Sequence, residues 1–247
     1  MMKKSFGFTL GEVLIALGVI GVVAALVIPQ LVNGHKAGTA RAQFDTAYSM
    51  LSKTIVEMEA DDVPVDPANY KTAGSFYSKF KEYNKVTIDC GKYNSTNSSV
   101  CISTSSRADD KSYKNHIGNT LSEGSEKNLL DDGAFVLNNG MLVMIENPNN
   151  NPNGLLISVD INGKNKNPNM WGYDLFTFEL VKGGQLLPVG APGTGVKSDG
   201  TIRAWSDPTS YSKYCKKKGG SSSHNGISCA YMAVTDQEYF KKLYNGH

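Results

Sequence analysis

Phe8-Thr9-Leu10-Gly11-Glu12-Val13 opens an apolar stretch, FTLGEVLIALGVIGVVAALVIPQLV, that runs from Phe8 to Val32 with Glu12 as its one charged residue. As a helix it would extend ~37 Å at 1.5 Å per residue, against about 30 Å for a bilayer's hydrocarbon core, so it is long enough to cross. Lys3 and Lys4 stand before it, which by the positive-inside preference keeps that end cytoplasmic. An ordinary secretory signal would need a small-residue cleavage site after the apolar core, and Val27-Ile28-Pro29-Gln30-Leu31 is a poor one. A plain signal anchor explains the hydrophobicity and not the acid, because a carboxylate in such a segment costs about 2.5–3.5 kcal/mol on insertion scales.

A third reading accounts for each of these features. Gly7-Phe8-Thr9-Leu10-x-Glu12, followed by an apolar helix that contains Pro29, resembles the N-terminal signature of type IV prepilins and of type II secretion pseudopilins. The resemblance covers about the first thirty residues. It implies that a membrane-bound prepilin peptidase cuts between Gly7 and Phe8 and that the new terminal residue, Phe8, is N-methylated. It further implies that Glu12 meets the terminal amine of a neighbouring subunit during assembly, and that the helix kinks or melts at Pro29. The partners implied are other pilin subunits, the peptidase, an inner-membrane assembly platform and membrane lipid. The location implied is the bacterial inner membrane, single-pass with the head outside the cytoplasm, and then a cell-surface or periplasmic filament. Physical logic agrees: a buried amine and a buried carboxylate each cost energy in lipid, and pairing offsets much of that cost. Gly18 and Gly21 allow close helix packing.

Beyond the apolar stretch, Ala37, Ala40, Phe44, Ala47, Tyr48, Leu51, Ile55 and Met58 recur at spacings of three and four, which is one face of a helix. Asp61-Asp62-Val63-Pro64 ends the pattern. The expectation is one helix of about fifty residues, apolar all round and then amphipathic. A short helix is expected within Tyr70–Tyr83 and a strand at Lys85–Asp89. Gly133–Leu137 and Met141–Ile145 flank Asn138-Asn139-Gly140, a strong hairpin signal. Leu155–Asp160 and Leu175–Val181 read as further strands, Gln185–Gly200 as a Gly/Pro-rich loop, and Asp236–Tyr244 as a closing helix. The fold expected is α+β, a pilin-like lollipop in which the long N-terminal helix packs on a small antiparallel sheet. Residues 1–7 are the leader, 8–32 the transmembrane or filament-core helix, 33–60 its amphipathic half and 61–247 the head.

Cys90, Cys101, Cys215 and Cys229 form no CxxC, and His35, His116, His224 and His247 are scattered, which argues against zinc. With an export-type N-terminus, four cysteines read as two disulfides rather than four free thiols. Three pairings are possible, and the local ones, Cys90–Cys101 and Cys215–Cys229, each close a short polar loop. Asp160, Asn162, Asn165 and Asp174 bring side-chain oxygens around Gly163 in a pattern that suits calcium, which some secretion pseudopilins hold in a head loop. Against this, no terminal Glu is present, Lys164 and Lys166 oppose a cation, and an Asx-turn loop would satisfy its own backbone. Asn94 and Asn97 begin N-x-S/T sequons that read as chance. Gly190–Gly195 lacks a P-loop lysine and reads as a turn. The net charge of +2 and the solvated run Lys216–Lys218 give no reason to expect nucleic acid. No Ser/His/Asp or Cys/His arrangement suggests an enzyme. The reading is a structural pilin or pseudopilin subunit. Its rivals are an anchored extracytoplasmic binding module that never polymerises and a secreted enzyme with an atypical signal.

Overall fold

A computed structural model of the chain describes residues 7–92, 99–102, 112–122, 126–150, 154–196, 201–204 and 211–245. Leader residues Met1 to Phe6, both sequon asparagines and His247 lie outside the described residues. Helix α1 spans Leu10–Ala60 without interruption at Pro29. Thr9 caps its start, and Asp61 and Asp62 end it; Asp62 takes a left-handed φ of 57°. Pro64 then prevents continuation. The first half of α1 is exposed throughout its most apolar window, and α1 is long and apolar enough to span a membrane. The second half is core: Ala37, Ala40, Phe44, Ala47, Leu51, Thr54, Ile55 and Met58 are buried. Tyr48 is only half-buried, and Thr54 joins the buried stripe through a hydrogen bond from its hydroxyl to Asn84 Oδ1 at 3.3 Å.

That stripe packs on a six-stranded antiparallel meander, β1 Val86–Gly91, β2 Gly133–Leu137, β3 Leu142–Glu146, β4 Leu155–Asp160, β5 Leu175–Leu180 and β6 Leu186–Pro188, in spatial order β1 to β6. Strands β2 to β5 are buried on every residue because both faces of the sheet are covered. Phe135, Val143, Ile145, Ile157, Val159, Phe176 and Phe178 face α1. Between them, Ala134, Val136, Leu142, Met144 and Leu156 join Tyr113, Leu121, Leu130, Trp171 and Ile227 in a second cluster on the opposite face. The period-2 alternation of side chains along each strand separates the two clusters. Short helices complete the head: α2 Ser75–Phe80, α3 Tyr211–Tyr214, α4 Cys229–Thr235 and α5 Tyr239–Asn245. The last of these packs along α1, with Phe240 at 5.8 Å ring-centroid distance from Phe44. The lollipop layout expected from the sequence is the one observed, with corrections inside it, among them strands that run Leu142–Glu146 rather than Met141–Ile145 and Leu175–Leu180 rather than Leu175–Val181. The expected Tyr70–Tyr83 helix shortens to α2 and a following 3₁₀ turn, Lys81–Tyr83. The Lys85–Asp89 strand begins one residue later and extends to Gly91. Strand β6 occupies part of the expected loop, because Gly183 and Gly184, with φ of 85° and 79°, make the tight turn that folds Gln185 back onto Val181. Helix α4 precedes the closing helix, which starts at Tyr239 rather than Asp236.

Phe44 is the hub of the helix–sheet contact, with Phe176 at 4.7 Å and Phe178 at 6.1 Å. Its truncation therefore opens a cavity in the main core. Phe44→Ala is expected to cost about 3–5 kcal/mol in urea unfolding of the detergent-solubilised full chain. Val56→Ala, on the exposed face of the same helix at 62% exposure, is expected to stay within about 0.5 kcal/mol of wild type.

Candidate functional site

Two places carry the chemistry singled out in the sequence. The first is the start of α1. Phe8 is 89% exposed, and Gly7 before it is exposed as well. Glu12 sits in the first helical turn and folds back on the N-cap: Thr9 N and Thr9 Oγ1 each donate to Glu12 Oε2 at 2.8 Å, while Glu12 N donates to Thr9 Oγ1 at 3.2 Å. This capping box satisfies two of the helix's otherwise unpaired N-terminal groups and places a negative charge at the positive end of the helix dipole. Around it Leu10, Val13, Leu14, Ile15 and Leu17 are all exposed. The acid therefore sits on an uncovered apolar cylinder and has no partner beyond its own cap among the described residues.

The second place is the β4–β5 loop. Asp160 is wholly buried, and Tyr113 Oη donates to its Oδ2 at 2.6 Å, while Asn162 N and Gly163 N donate to its Oδ1 at 3.2 and 2.8 Å. Asp174 is 1% exposed; Asn169 N and Asn162 Nδ2 donate to its Oδ2 at 2.8 and 3.3 Å, and Met170 N to its Oδ1 at 2.6 Å. Gly163 has φ of 82° and lies so close to Gly140 that an added Cβ would sit 2.3 Å from the Gly140 carbonyl oxygen. The loop is thereby locked against the β2–β3 turn. Burial pushes the Asp160 carboxyl up to about 7, helped by the neighbouring Asp174 charge. Burial likewise raises Asp174 to about 6, against the pull of the Met170 and Asn169 N–H groups. The residues fit calcium poorly. Asp160 and Asp174 each accept three fixed N–H or O–H donors, and in this loop the buried Oδ1 atoms of Asn162 and Asn169 lack a partner among the described residues. Asn165 is exposed, and the loop brings Asn169 to the aspartates in its place. Lys164, expected to oppose a cation in this loop, donates from Nζ to the Cys101 carbonyl at 2.6 Å. The geometry is that of an Asx-turn loop satisfying its own backbone.

Both local disulfides are present, Cys90–Cys101 and Cys215–Cys229, with Cα separations of 5.7 and 4.9 Å. His116 is buried: Nδ1 donates to the Trp171 carbonyl at 2.9 Å, and burial lowers its pKa. It lies beside Cys215 and Cys229, but those sulfurs are joined to each other and offer no thiolate to a metal. A third group, Asp131, Asp132 and Glu146, was not singled out in the sequence. The β2–β3 register brings it together, since Gly133 faces Ile145 and so sets Asp132 beside Glu146. In the Gly190–Gly195 turn, Thr194 Oγ1 bonds Gly190 N and the Ala191 carbonyl, so the turn is occupied by its own side chain.

A carboxyl whose folded pKa is raised stabilises the fold below its unfolded pKa and loses that contribution as pH rises through the folded value. Wild type is therefore expected to lose thermal stability relative to Asp160→Asn as pH climbs from 4 to 7. Difference melting curves of the two proteins over that range would show it. Millimolar calcium at pH 7.5 is expected to leave the wild-type midpoint unchanged; an upward shift confined to wild type would instead put Asp160, Asn162, Asn169 and Asp174 around the ion.

The chain matches no family model, no curated protein and no solved structure.

Proposed function

We propose that the chain is a non-enzymatic structural subunit of a type IV pilus or type II secretion pseudopilus. A prepilin peptidase cuts it between Gly7 and Phe8, Phe8 is methylated, and an inner-membrane platform assembles it with other pilin subunits. The observation that supports this most is the division of α1. Leu10 to Val32 is an uncovered apolar helix with one acid in its first turn, whereas Ala37 to Met58 is the core of a folded head. An uncovered cylinder of this length needs either lipid or other helices around it. Lipid covers the apolar side chains and leaves Glu12 as a cost. A neighbour's helix covers them equally well, and its terminal amine at Phe8 adds a partner for the acid. The placement of Glu12 supports a helix that changes surroundings over one that only stays in a membrane.

The first test is the mass of the N-terminal peptide of the chain recovered from membranes. The expected peptide begins at Phe8 and carries one additional methyl group. An intact Met1, or a cut near Gln30, would overturn the reading. A second test replaces Glu12 by Gln, an isosteric change at an exposed position that spares the head. Glu12→Gln is expected to insert normally and to abolish filament formation in a shearing assay. Filaments at wild-type level would leave an anchored module that does not polymerise.

A further inference from the structure

Helix α5 runs back along α1 toward its apolar half. Phe240 meets Phe44, Tyr244 lines a cavity of about 570 Å³ with His35, Lys36 and Thr39, and Asn245 lines a smaller one with Pro29, Gln30 and Asn33. Asn167 and Pro168 of the β4–β5 loop also line the larger cavity. The end of α5 and this loop therefore form the base of the head, next to the uncovered part of α1. Lys36 stands four residues beyond Val32, which is about 6 Å along the axis. A bilayer's headgroup layer adds about 5–8 Å to each side of the hydrocarbon core. With Val32 at the hydrocarbon edge, the base of the head lies at headgroup depth.

This base is basic. Lys36 on α1, Lys166 beside Asn167, and the run Lys216, Lys217 and Lys218 are all exposed. The run is held at the base because Lys217 Nζ donates to the Leu243 carbonyl of α5 at 2.7 Å. None of the five lysines has a carboxylate partner among the described residues. The acids on the neighbouring elements are engaged or covered: Asp45 pairs with Arg41, Asp236 with Lys242 and Glu238 with Lys241, while Asp160 and Asp174 are buried. The net charge of the whole chain is +2, so five unpaired lysines at one end are an asymmetry and not a reflection of overall charge. They come from three separate segments around the point where α1 leaves the head. A flat anionic plane crossed by α1 meets all of them at once, whereas a nucleic-acid duplex would be held off by the bilayer itself.

We propose that the base of the head is a docking surface for anionic phospholipid, with Lys36, Lys166, Lys216, Lys217 and Lys218 set against the phosphates of a bilayer that contains phosphatidylglycerol. Each lysine near such a surface adds to the attraction, which salt screens within about 8 Å. This rests on α1 spanning a membrane and is independent of whether the chain polymerises. Docking fixes the head against the bilayer, and its contacts are given up when the chain leaves the membrane.

The test reconstitutes the full chain into vesicles of equal phosphatidylglycerol and phosphatidylcholine. It then confirms flotation with the vesicles and counts the lipids retained after mild detergent extraction by native mass spectrometry. Wild type is expected to retain phosphatidylglycerol over phosphatidylcholine by about fivefold at about 0.1 M salt, the factor that one lysine's attraction to an anionic surface corresponds to, and to lose the preference at about 1 M salt. Lys166→Gln/Lys216→Gln/Lys218→Gln is expected to reduce the preference below about twofold and to leave the melting temperature unchanged, since these side chains make no hydrogen bond among the described residues. Lys53→Gln/Lys79→Gln/Lys85→Gln removes the same charge from the far end of the head, where Lys53 stands about 25 Å along α1 from Lys36, and is expected to keep the wild-type preference. Equal retention of the two lipids by wild type, wild-type preference in the first variant, or equal loss in both variants would each overturn the assignment. A short DNA duplex is expected to displace none of the lipid; displacement would make the lysines a nucleic-acid surface instead. Failure of the wild-type chain to float would remove the membrane span, and the lipid surface with it.

Discussion

Everything in this molecule depends on one helix serving two surroundings. Residues 37–58 of α1 are committed to the head by a stripe of small and large side chains. Ala37, Ala40 and Ala47 let the sheet approach closely, while Phe44, Leu51 and Met58 fill the space between. Phe44 touches rings from β5 and from α5, so helix, sheet and C-terminus meet at a single side chain. Because α1 is continuous, fixing this stripe also fixes the direction in which Leu10 to Val32 leaves the head. The head cannot rearrange around the helix without exposing the stripe, and the apolar half cannot be folded back because no sheet face is free to receive it.

The sheet has no free face because its far side is covered by irregular chain. Tyr113, Leu121 and Leu130 come from the β1–β2 connection, Trp171 from the β4–β5 loop, and Val189 and Ile227 from the chain after β6, and together they bury Val136, Leu142, Met144 and Leu156. Loops hold such positions poorly by themselves, since ordering each residue costs conformational entropy. The two disulfides tie down two of these connecting segments. Cys90 ties the end of β1 to Cys101 beside the buried Ile102, and Cys229 ties the start of α4 to Cys215. A buried ion pair does similar work at the other edge: Arg203 Nη2 donates to Glu179 Oε1 at 2.5 Å, and Gly195 N donates to Oε2 at 2.7 Å. These links hold the segment after β6 against β5.

What could be read in advance follows from how local each determinant is. The helix end, its buried stripe and the Asn138-Asn139-Gly140 turn are encoded within a few residues of where they act. Each disulfide joins cysteines 11 or 14 residues apart, so proximity in sequence was a fair guide. Strand β6 escaped because three residues carry no periodicity; its existence depends on the Gly183–Gly184 turn and on an edge of β5 that only the folded sheet presents. Thr54 escaped because its partner Asn84 lies thirty residues away. At the β4–β5 loop the residue types were legible and their arrangement was not. Asn165 and Asn169 look equivalent in sequence, and only the folded loop turns the first to solvent and packs the second against Asp174. The cavity beside that loop had no sequence signal at all, because its walls come from residues 35–43, 161–174 and 244.

The capping box at the head of α1 bears on how the proposed assembly is driven. In the single chain Glu12 is not an unsatisfied charge, since two donors from Thr9 already hold its Oε2. A neighbour's amine would therefore exchange for, or add to, an existing pair of hydrogen bonds and would not rescue a bare carboxylate. The net gain from that contact is smaller than the insertion cost of an isolated acid suggests. The apolar surface gives little net drive either, because lipid covers Leu10 to Val32 as well as another helix does. With both terms small, the contact is better suited to selecting register and partner than to pulling a subunit from the bilayer. Work must then enter from outside the chain, which agrees with the assembly platform that the resemblance to pilins implies.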